Sequence, residues 1–164
     1  MTYFPDRLFV GCGSFASAYF AELTKAAATV HEDAITSAGE LISDTLQRGG
    51  RIFSCGNGGS AAIANHLVCD CLKGIRSGTE LRPKIHSLST TVELITAIVN
   101  DIGSDEMFSF QLESLGEPGD LLISISSSGS SPNIVRCLEV AKQMGLGTIA
   151  MSGFTGGRSR ELAD

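Results

Sequence analysis

Two short segments of this chain carry residue types from which proteins build phosphate sites. Residues 56–60 read Gly-Asn-Gly-Gly-Ser, and residues 126–131 read Ser-Ser-Ser-Gly-Ser-Ser. Glycines let the backbone approach a ligand closely. A helix that follows such a loop offers free N–H groups and the positive end of its dipole. Neither loop contains Lys or Arg, so an anion bound there would be held by amides and hydroxyls.

Each loop also has a plainer interpretation. Residues 56–60 could form a tight connection without a ligand, and residues 126–131 a solvated turn in which Ser131 caps the next helix. Both segments, however, follow predicted buried strands, and ligands of open α/β sheets bind at the carboxyl ends of the strands. The occurrence of two such loops together favours a binding site.

His66 and Asp70 are candidates for acid–base or metal chemistry. A helix is predicted over 61–73, and residues four apart share a helix face. The pair could form half of a metal site, an acid–base pair, or an ordinary hydrogen-bonded pair. Thiols two apart on a helix diverge, which disfavours zinc binding by Cys69 and Cys71. Asn100 and Asp101 form either a helix stop or a contact to sugar hydroxyls.

The sequence predicts no nucleotide cofactor. Gly56-x-Gly58-x-x-Ala61 fits a dinucleotide fingerprint, but that fingerprint needs an acidic residue at the end of the next strand. That predicted strand, 84–89, ends in Ser-Leu-Ser, and no Gly-Lys-Ser/Thr follows either loop.

The elements that must position these residues alternate along the chain. Strands are predicted at 51–55, 84–89, 120–126 and 146–151, and helices at 15–29, about 30–46, 61–73, 91–99, 106–115 and 132–144. This order predicts an α/β fold with a doubly wound, flavodoxin-like parallel sheet, helices on both faces and N-terminal helices.

We expect a single domain over 1–164, with an N-terminal helical region of about 1–48 and an α/β core at 49–164. Such sheets commonly have five or more strands, so a last strand and helix are expected to be missing from this sequence.

Composition excludes several classes of protein. Hydrophobic residues make up 43% of the 164 residues and charged residues 18%, which is too apolar for a disordered chain. No apolar run reaches the roughly 18 residues of a membrane helix, and a net charge of −6 argues against direct nucleic-acid binding. An odd count of five cysteines without a secretory leader predicts a cytoplasmic protein. Cys55, Cys69 and Cys137 are expected to be small buried side chains.

Four longer motifs resemble the sugar isomerase (SIS) family, in its phosphoheptose isomerase branch. They are SCGNGGSAAIANH (54–66), TAIVNDIG (96–103), PGDLLISISSSGSSPNIV (118–135) and GTIAMSGFTGG (147–157). The resemblance covers about residues 15–164. It implies conversion of sedoheptulose 7-phosphate to glycero-manno-heptose 7-phosphate through an enediol, for heptose and lipopolysaccharide synthesis. It also implies a cytoplasmic homotetramer or dimer with active sites at subunit interfaces.

The resemblance further implies roles for individual residues. His66 and Asp70 would be catalytic and would bind zinc, one ion per subunit. Asp70 stands where the family has Glu, one methylene longer, and the family's Gln and His on a last helix have no counterpart in this sequence. The implied substrate-binding residues are Asn57, Gly58, Gly59, Ser60, Asn100, Asp101, Ser126, Ser127, Ser128 and Ser131.

Other functions stay open at this point. SIS domains also sense phosphosugars in regulators, and a relative of the isomerase tetramer binds a bacterial replication initiator. The chain could therefore be a non-catalytic regulator or adaptor. A purely structural subunit would bind no phosphate.

Overall fold

The computed structural model describes residues 4–164, in two compact units. The first unit ends at Gly39, and the second comprises Glu40–Asp164. The elements follow in the order α1 (Cys12–Ala27), α2 (Glu32–Gln47), β1 (Arg51–Gly56), α3 (Gly59–Cys69), a π-helical turn (Asp70–Ile75), α4 (Arg76–Gly78), β2 (Lys84–Ser87), α5 (Val92–Asp101), a 3-10 turn (Ser104–Glu106), α6 (Ser109–Leu115), β3 (Leu121–Ser126), α7 (Pro132–Gln143), β4 (Gly147–Ser152) and α8 (Gly157–Leu162).

The four strands of the second unit form one parallel sheet in the order β2-β1-β3-β4. The α/β fold with a parallel sheet is therefore confirmed. The chain passes from β1 to β2 toward one edge of the sheet, and from β3 to β4 toward the opposite edge. The switch point lies between these two strands, where sheets of this type place their ligands. The loops after β1 and β3 flank it.

The residues of β1 alternate between the two faces of the sheet, as strand geometry requires. Phe53 and Cys55 pack with Leu112 of α6 and with Cys137 and Leu138 of α7. Ile52 belongs to the core of the opposite face, whose other members come from β2, β3, β4, α2 and α3. They are Leu121, Ile123, Leu41, Ile42, Leu46, Leu67, Ile85 and Ile149. Helices from both faces thus hold the sheet, and residues 41–46, grouped above with the N-terminal helices, pack on it.

In the first unit, the helix predicted at 15–29 is observed as α1, which begins at Cys12 and contains no buried residue. Aromatic rings contact one another along this unit, with centroid separations of 5.3 Å for Phe4 and Phe15 and 6.4 Å for the stacked Phe15 and Tyr19. Within residues 4–164, no helix is both long and apolar enough to cross a bilayer.

Near the candidate site, two helices continue past their predicted ends. The helix predicted to end near Gly74 continues through the π-helical turn and α4 to Gly78. A glycine inside a helix costs only about 1 kcal/mol, and burial of Cys71 helps to hold this turn. Likewise, α5 continues beyond its predicted end at residue 99, so that Asn100 and Asp101 lie in its last turn, and the chain leaves the helix at Gly103, with φ of 149°.

Cys55 and Cys137 are buried, as expected, but the prediction for Cys69 is wrong, because that side chain is exposed. The π-helical turn begins directly after Cys69, and it is Cys71 that faces the core.

Candidate functional site at the sheet switch point

The glycine loop, residues 56–60, reverses the chain tightly after β1. A Cβ on Gly56 would lie 2.6 Å from the carbonyl carbon and oxygen of Ser60, which no side chain tolerates. Gly58 has φ of 53° and ψ of −119°, a conformation that favours glycine. The N–H of Ser60 donates to the Asn57 carbonyl over 2.9 Å. The loop therefore places the first N–H groups of α3 at the carboxyl edge of the sheet.

Ser89, which is not one of the predicted site residues, supports this loop. Its hydroxyl donates to the carbonyl of Gly56 over 2.9 Å and accepts the N–H of the same residue over 3.1 Å. Ser89 follows the end of β2 at Ser87. A third serine-containing strand end was visible in the sequence, but its contact to Gly56 depends on β2 lying beside β1.

The serine loop, residues 126–131, connects β3 to α7. Gly129 has φ of 63° and donates its N–H to the Ser126 carbonyl over 3.0 Å. The hydroxyls of Ser126 and Ser131 lie 3.4 Å apart. Ser131 occupies the N-cap position of α7, but its side chain makes no capping hydrogen bond. Simple capping therefore does not account for this serine.

A neighbouring segment, residues 153–159, supports the serine loop. The N–H of Gly153 donates to the Ser127 carbonyl over 3.0 Å, and the N–H of Ser159 donates to the Gly129 carbonyl over 2.8 Å. The approach is so close that a Cβ on Gly129 would lie 1.9 Å from the Gly156 carbonyl oxygen. The serine loop is therefore held in one shape before any ligand arrives.

Several donors of the serine loop are unused. Within residues 4–164, the backbone N–H groups of Ser127, Ser128 and Ser131 make no hydrogen bond, and the side chains of Ser127 and Ser128 are exposed. Together with the start of α7, these groups are neutral donors of the kind that bind an oxyanion such as phosphate.

The two loops are joined by a pair of amides. Asn57 Nδ2 donates to Asn133 Oδ1, and Asn133 Nδ2 donates to Asn57 Oδ1, each over 2.9 Å. Asn57 is one of the predicted binding residues, whereas Asn133, in the first turn of α7, was not predicted from the sequence. Only the adjacency of β1 and β3 brings residues 76 positions apart into contact.

His66 and Asp70 are brought together on the helix after the glycine loop. His66 Nε2 lies 3.4 Å from Asp70 Oδ1, and their side chains are 71% and 63% exposed. They line a cavity of about 450 Å³ with Ile63 of α3 and with Ile125 and Met151 from the ends of β3 and β4. The pair therefore lies at the carboxyl edge of the sheet and is open to a ligand.

The pair fits two corners of a zinc site. Tetrahedral N and O ligands, each about 2.1 Å from zinc, are separated by about 3.4 Å, which matches the observed 3.4 Å. In the part of the chain that the structure describes, no three His, Cys, Asp or Glu side chains are grouped to hold a metal. A zinc ion at this position would need further ligands from water, substrate or another chain.

The structure does not join Asn100 and Asp101 to the two loops by any hydrogen bond. The Asn100 amide donates to Asp101 Oδ1 over 2.7 Å, and both side chains are exposed at the end of α5. Among the described residues, neither side chain has another hydrogen-bond partner.

Relatives of known name share both the sequence and the fold of this chain. The phosphoheptose isomerase of Chlorobaculum parvum is 42% identical over 148 residues, which is 89% of this chain and 70% of the relative. That of Akkermansia muciniphila is 42% identical over 142 residues, or 85% of this chain and 73% of the relative. The structure of phosphoheptose isomerase from Neisseria gonorrhoeae superposes with a TM-score of 0.81 at 36% identity, covering 91% of this chain and 79% of that one.

The match to a family is equally extensive. Residues 17–153 match the SIS domain, a stretch that includes the glycine loop, the serine loop, and the His66–Asp70 pair. With a parallel sheet whose switch point carries two preformed neutral loops, this chain belongs to the SIS domain family.

Proposed function

We propose that this chain is a phosphoheptose isomerase, which interconverts sedoheptulose 7-phosphate and glycero-manno-heptose 7-phosphate. The observation that carries this proposal is the 42% identity to the Chlorobaculum parvum phosphoheptose isomerase over 89% of the chain. Because the two sequences are this similar over most of the chain, the activity named for the relative is proposed for this chain as well. The site's own chemistry then has to be capable of the reaction.

The phosphate of the substrate would be bound by the serine loop. Ser126, Ser127, Ser128 and Ser131 supply hydroxyls, and the loop supplies the unused N–H groups. A hydrogen bond to a charged group contributes about 1.5–3 kcal/mol, so several neutral donors can hold a dianion without Lys or Arg. Binding at this distant group would orient the reacting carbons.

The sugar portion would lie along the glycine loop. In this proposal Asn57, Gly58, Gly59 and Ser60 contact the chain of hydroxyls, and Asn100 and Asp101 bind a further hydroxyl. Support comes from the Asn57–Asn133 pair, which joins the glycine loop to the phosphate-binding loop. A ligand bound at both loops would thus meet one connected unit.

Asp70 is proposed as the base of the isomerisation. Its carboxylate removes a proton from C1 of the ketose, and the electron pair forms the C1–C2 double bond of the enediol as the C2 oxygen gains a proton. Returning the proton to C2, with loss of the C1 hydroxyl proton, leaves the C1 aldehyde. No atom or electron is gained or lost overall. His66, whose Nε2 lies 3.4 Å from this carboxylate, would hold the metal or the substrate.

Zinc, one ion per subunit, is retained as a proposed cofactor. His66 Nε2 and Asp70 Oδ1 would be its protein ligands, and a bound zinc ion would polarise the substrate carbonyl. Because the base and ligand roles compete for the same carboxylate, turnover measured after chelation and after zinc addition distinguishes them.

We further propose a cytoplasmic protein that acts as a homotetramer or dimer in heptose and lipopolysaccharide synthesis, with a phosphosugar as its partner and no direct nucleic-acid partner. The acidic net charge of −6 supports the last point. Apolar side chains exposed on α1, among them Phe20 and Leu23, support self-association. Light scattering on the purified chain measures the oligomeric state.

The decisive experiment incubates the full chain with sedoheptulose 7-phosphate and follows the aldose product by NMR, with calorimetry on the same sample. Turnover supports the isomerase. Binding without turnover points instead to a phosphosugar-sensing regulator, and the absence of any binding contradicts both functions and favours a structural subunit.

A further inference from the structure

Asn133 has no role in the reaction proposed above, yet it is built into the site. Its side chain is 8% exposed and makes three hydrogen bonds: two with Asn57, at 2.9 Å, and one from Nδ2 to Met107 Sδ, at 3.1 Å. A buried amide with this many partners is costly to place and is fixed once placed.

Met107 determines which way round the amide pair lies. Turning over one amide alone would bring oxygen against oxygen and nitrogen against nitrogen. Turning over both would preserve the pair but would direct Asn133 Oδ1 at the Met107 sulfur, and both atoms are acceptors. Since Asn133 Nδ2 faces the sulfur, Asn133 has one favoured orientation, and Asn57 therefore has one as well.

The pair leaves one N–H of Asn57 available. The Asn57 amide carries two N–H groups, of which one is used by Asn133 Oδ1. Among the described residues the Asn57 side chain has no other hydrogen bond, and the residue is exposed. The second N–H is therefore a donor held in a set position beside the glycine loop.

We propose that Asn133 is a positioning residue, which aims the free Asn57 N–H at an oxygen of the phosphosugar and keeps the glycine loop in register with the serine loop. This inference rests on the proposed function and names how that site holds its substrate. Asn133 acts through Asn57 and need not touch the substrate with its own side chain.

The test is a double-mutant cycle on kcat/KM for sedoheptulose 7-phosphate, using Asn57→Ala, Asn133→Ala and the double variant. Asn57→Ala removes a donor to a substrate oxygen, and Asn133→Ala removes the hydrogen bonds that orient this donor. Each single variant should therefore lower kcat/KM about tenfold. If Asn133 acts through Asn57, the double variant is no worse than Asn57→Ala. Losses that multiply, to about a hundredfold, would overturn the proposal.

Val140→Ala is the matched control for weakened packing of α7. Val140 is buried at 1% exposure on the same helix and belongs to neither loop. This variant should lower the melting temperature and leave kcat/KM unchanged. An equal tenfold loss in Val140→Ala would assign the effect to the helix and overturn the role of the amide.

A second measurement is independent of activity. In ¹⁵N-labelled protein, the side-chain NH₂ signals of Asn57 should shift on Asn133→Ala and stay in place in Val140→Ala. Unmoved Asn57 signals in Asn133→Ala would overturn the inference whatever the activity. Lack of turnover by the wild-type chain would instead count against the proposed function, so the two failures are distinguishable.

Discussion

Asp70 is the residue on which the proposed chemistry depends most directly, and its position makes it easy to test. Its side chain is 63% exposed, and its Oδ1 lies 3.4 Å from His66 Nε2. Substitution therefore removes a proton acceptor without disturbing the core. Substitutions of such exposed site residues should therefore change activity and leave the stability of the fold unchanged.

Asp70→Asn should lower kcat at least about a hundredfold, the usual contribution of a positioned acid or base, because an amide cannot accept the C1 proton. KM should change little, since the proposed phosphate site lies on another loop. Steady-state kinetics with sedoheptulose 7-phosphate measures both constants, and an unchanged melting temperature confirms that the fold is intact.

Asp70→Glu is the informative companion variant. It keeps the carboxylate and adds one methylene, which gives the Glu that the family resemblance places at this position. Activity comparable to or above that of the wild type would agree with Asp70 as the base. If Asp70→Asn kept full kcat, Asp70 would have to be removed from the mechanism.

Ser128→Ala should raise KM about threefold to tenfold through loss of one hydrogen bond to the substrate phosphate, and should leave kcat nearly unchanged. Its hydroxyl accepts only the N–H of Ser130, at 3.2 Å, among the described residues. Ser114→Ala serves as control, because that exposed serine donates to the Phe110 carbonyl on α6. Inorganic phosphate, tested as a competitive inhibitor, should likewise bind less tightly to Ser128→Ala.

At the scale of elements, the site depends on backbones that approach one another closely. The turn from β1 to α3 leaves no room for a Cβ on Gly56. The serine loop meets residues 153–159 with the same lack of space at Gly129. These backbone contacts fix the shape of the two loops.

Gly56→Ala should destabilise the protein by about 1–3 kcal/mol, the usual cost of overpacking, because Ser60 would have to move with the first turn of α3. Chemical denaturation measures the change in unfolding free energy. Gly59→Ala is the control: a Cβ there meets no atom within 4 Å, so its stability should match that of the wild type. Equal losses in both variants would contradict the packing argument.

At the scale of the whole molecule, ion pairs tie distant elements together. Glu106 of the 3-10 turn pairs with Arg136 of α7 over 2.9 Å. The Ser109 hydroxyl donates a hydrogen bond to Glu106, and Arg136 adds a hydrogen bond and an opposite charge. Together these interactions hold the pKa of Glu106 below its ordinary value of 4.5. The pair lies beside Met107 and Asn133, so it also supports the start of α7.

The stability that Glu106 contributes should be lost in acid. Because its pKa is lower in the folded chain than in the unfolded one, the contribution is complete above about pH 4.5 and disappears as the pH falls through the folded value. Melting temperatures of wild type and Glu106→Gln should differ at pH 7 and converge toward pH 3. A difference that stayed constant across this range would contradict the assignment.

Much of the fold could be predicted because its causes are local. The apolar run of β3, the glycines after β1 and the alternation of strands with helices each act over a few residues, so the α/β class and both loops could be read from the chain. Predictions failed where tertiary packing outweighed a local preference. The helix does not end at Gly74, and Cys69, which was predicted to be buried, is exposed, whereas Cys71 is buried.

By itself, the sequence determined which segments become strands, which loops carry amides and hydroxyls, and that His66 and Asp70 share a helix face. Only the tertiary structure decided that β1 lies against β3, and with it the Asn57–Asn133 pair. It likewise decided the brace from Ser89 and the support from residues 153–159. The physical reason is that these contacts join residues far apart in the chain, and strand order depends on the burial of the whole sheet rather than on any local pattern.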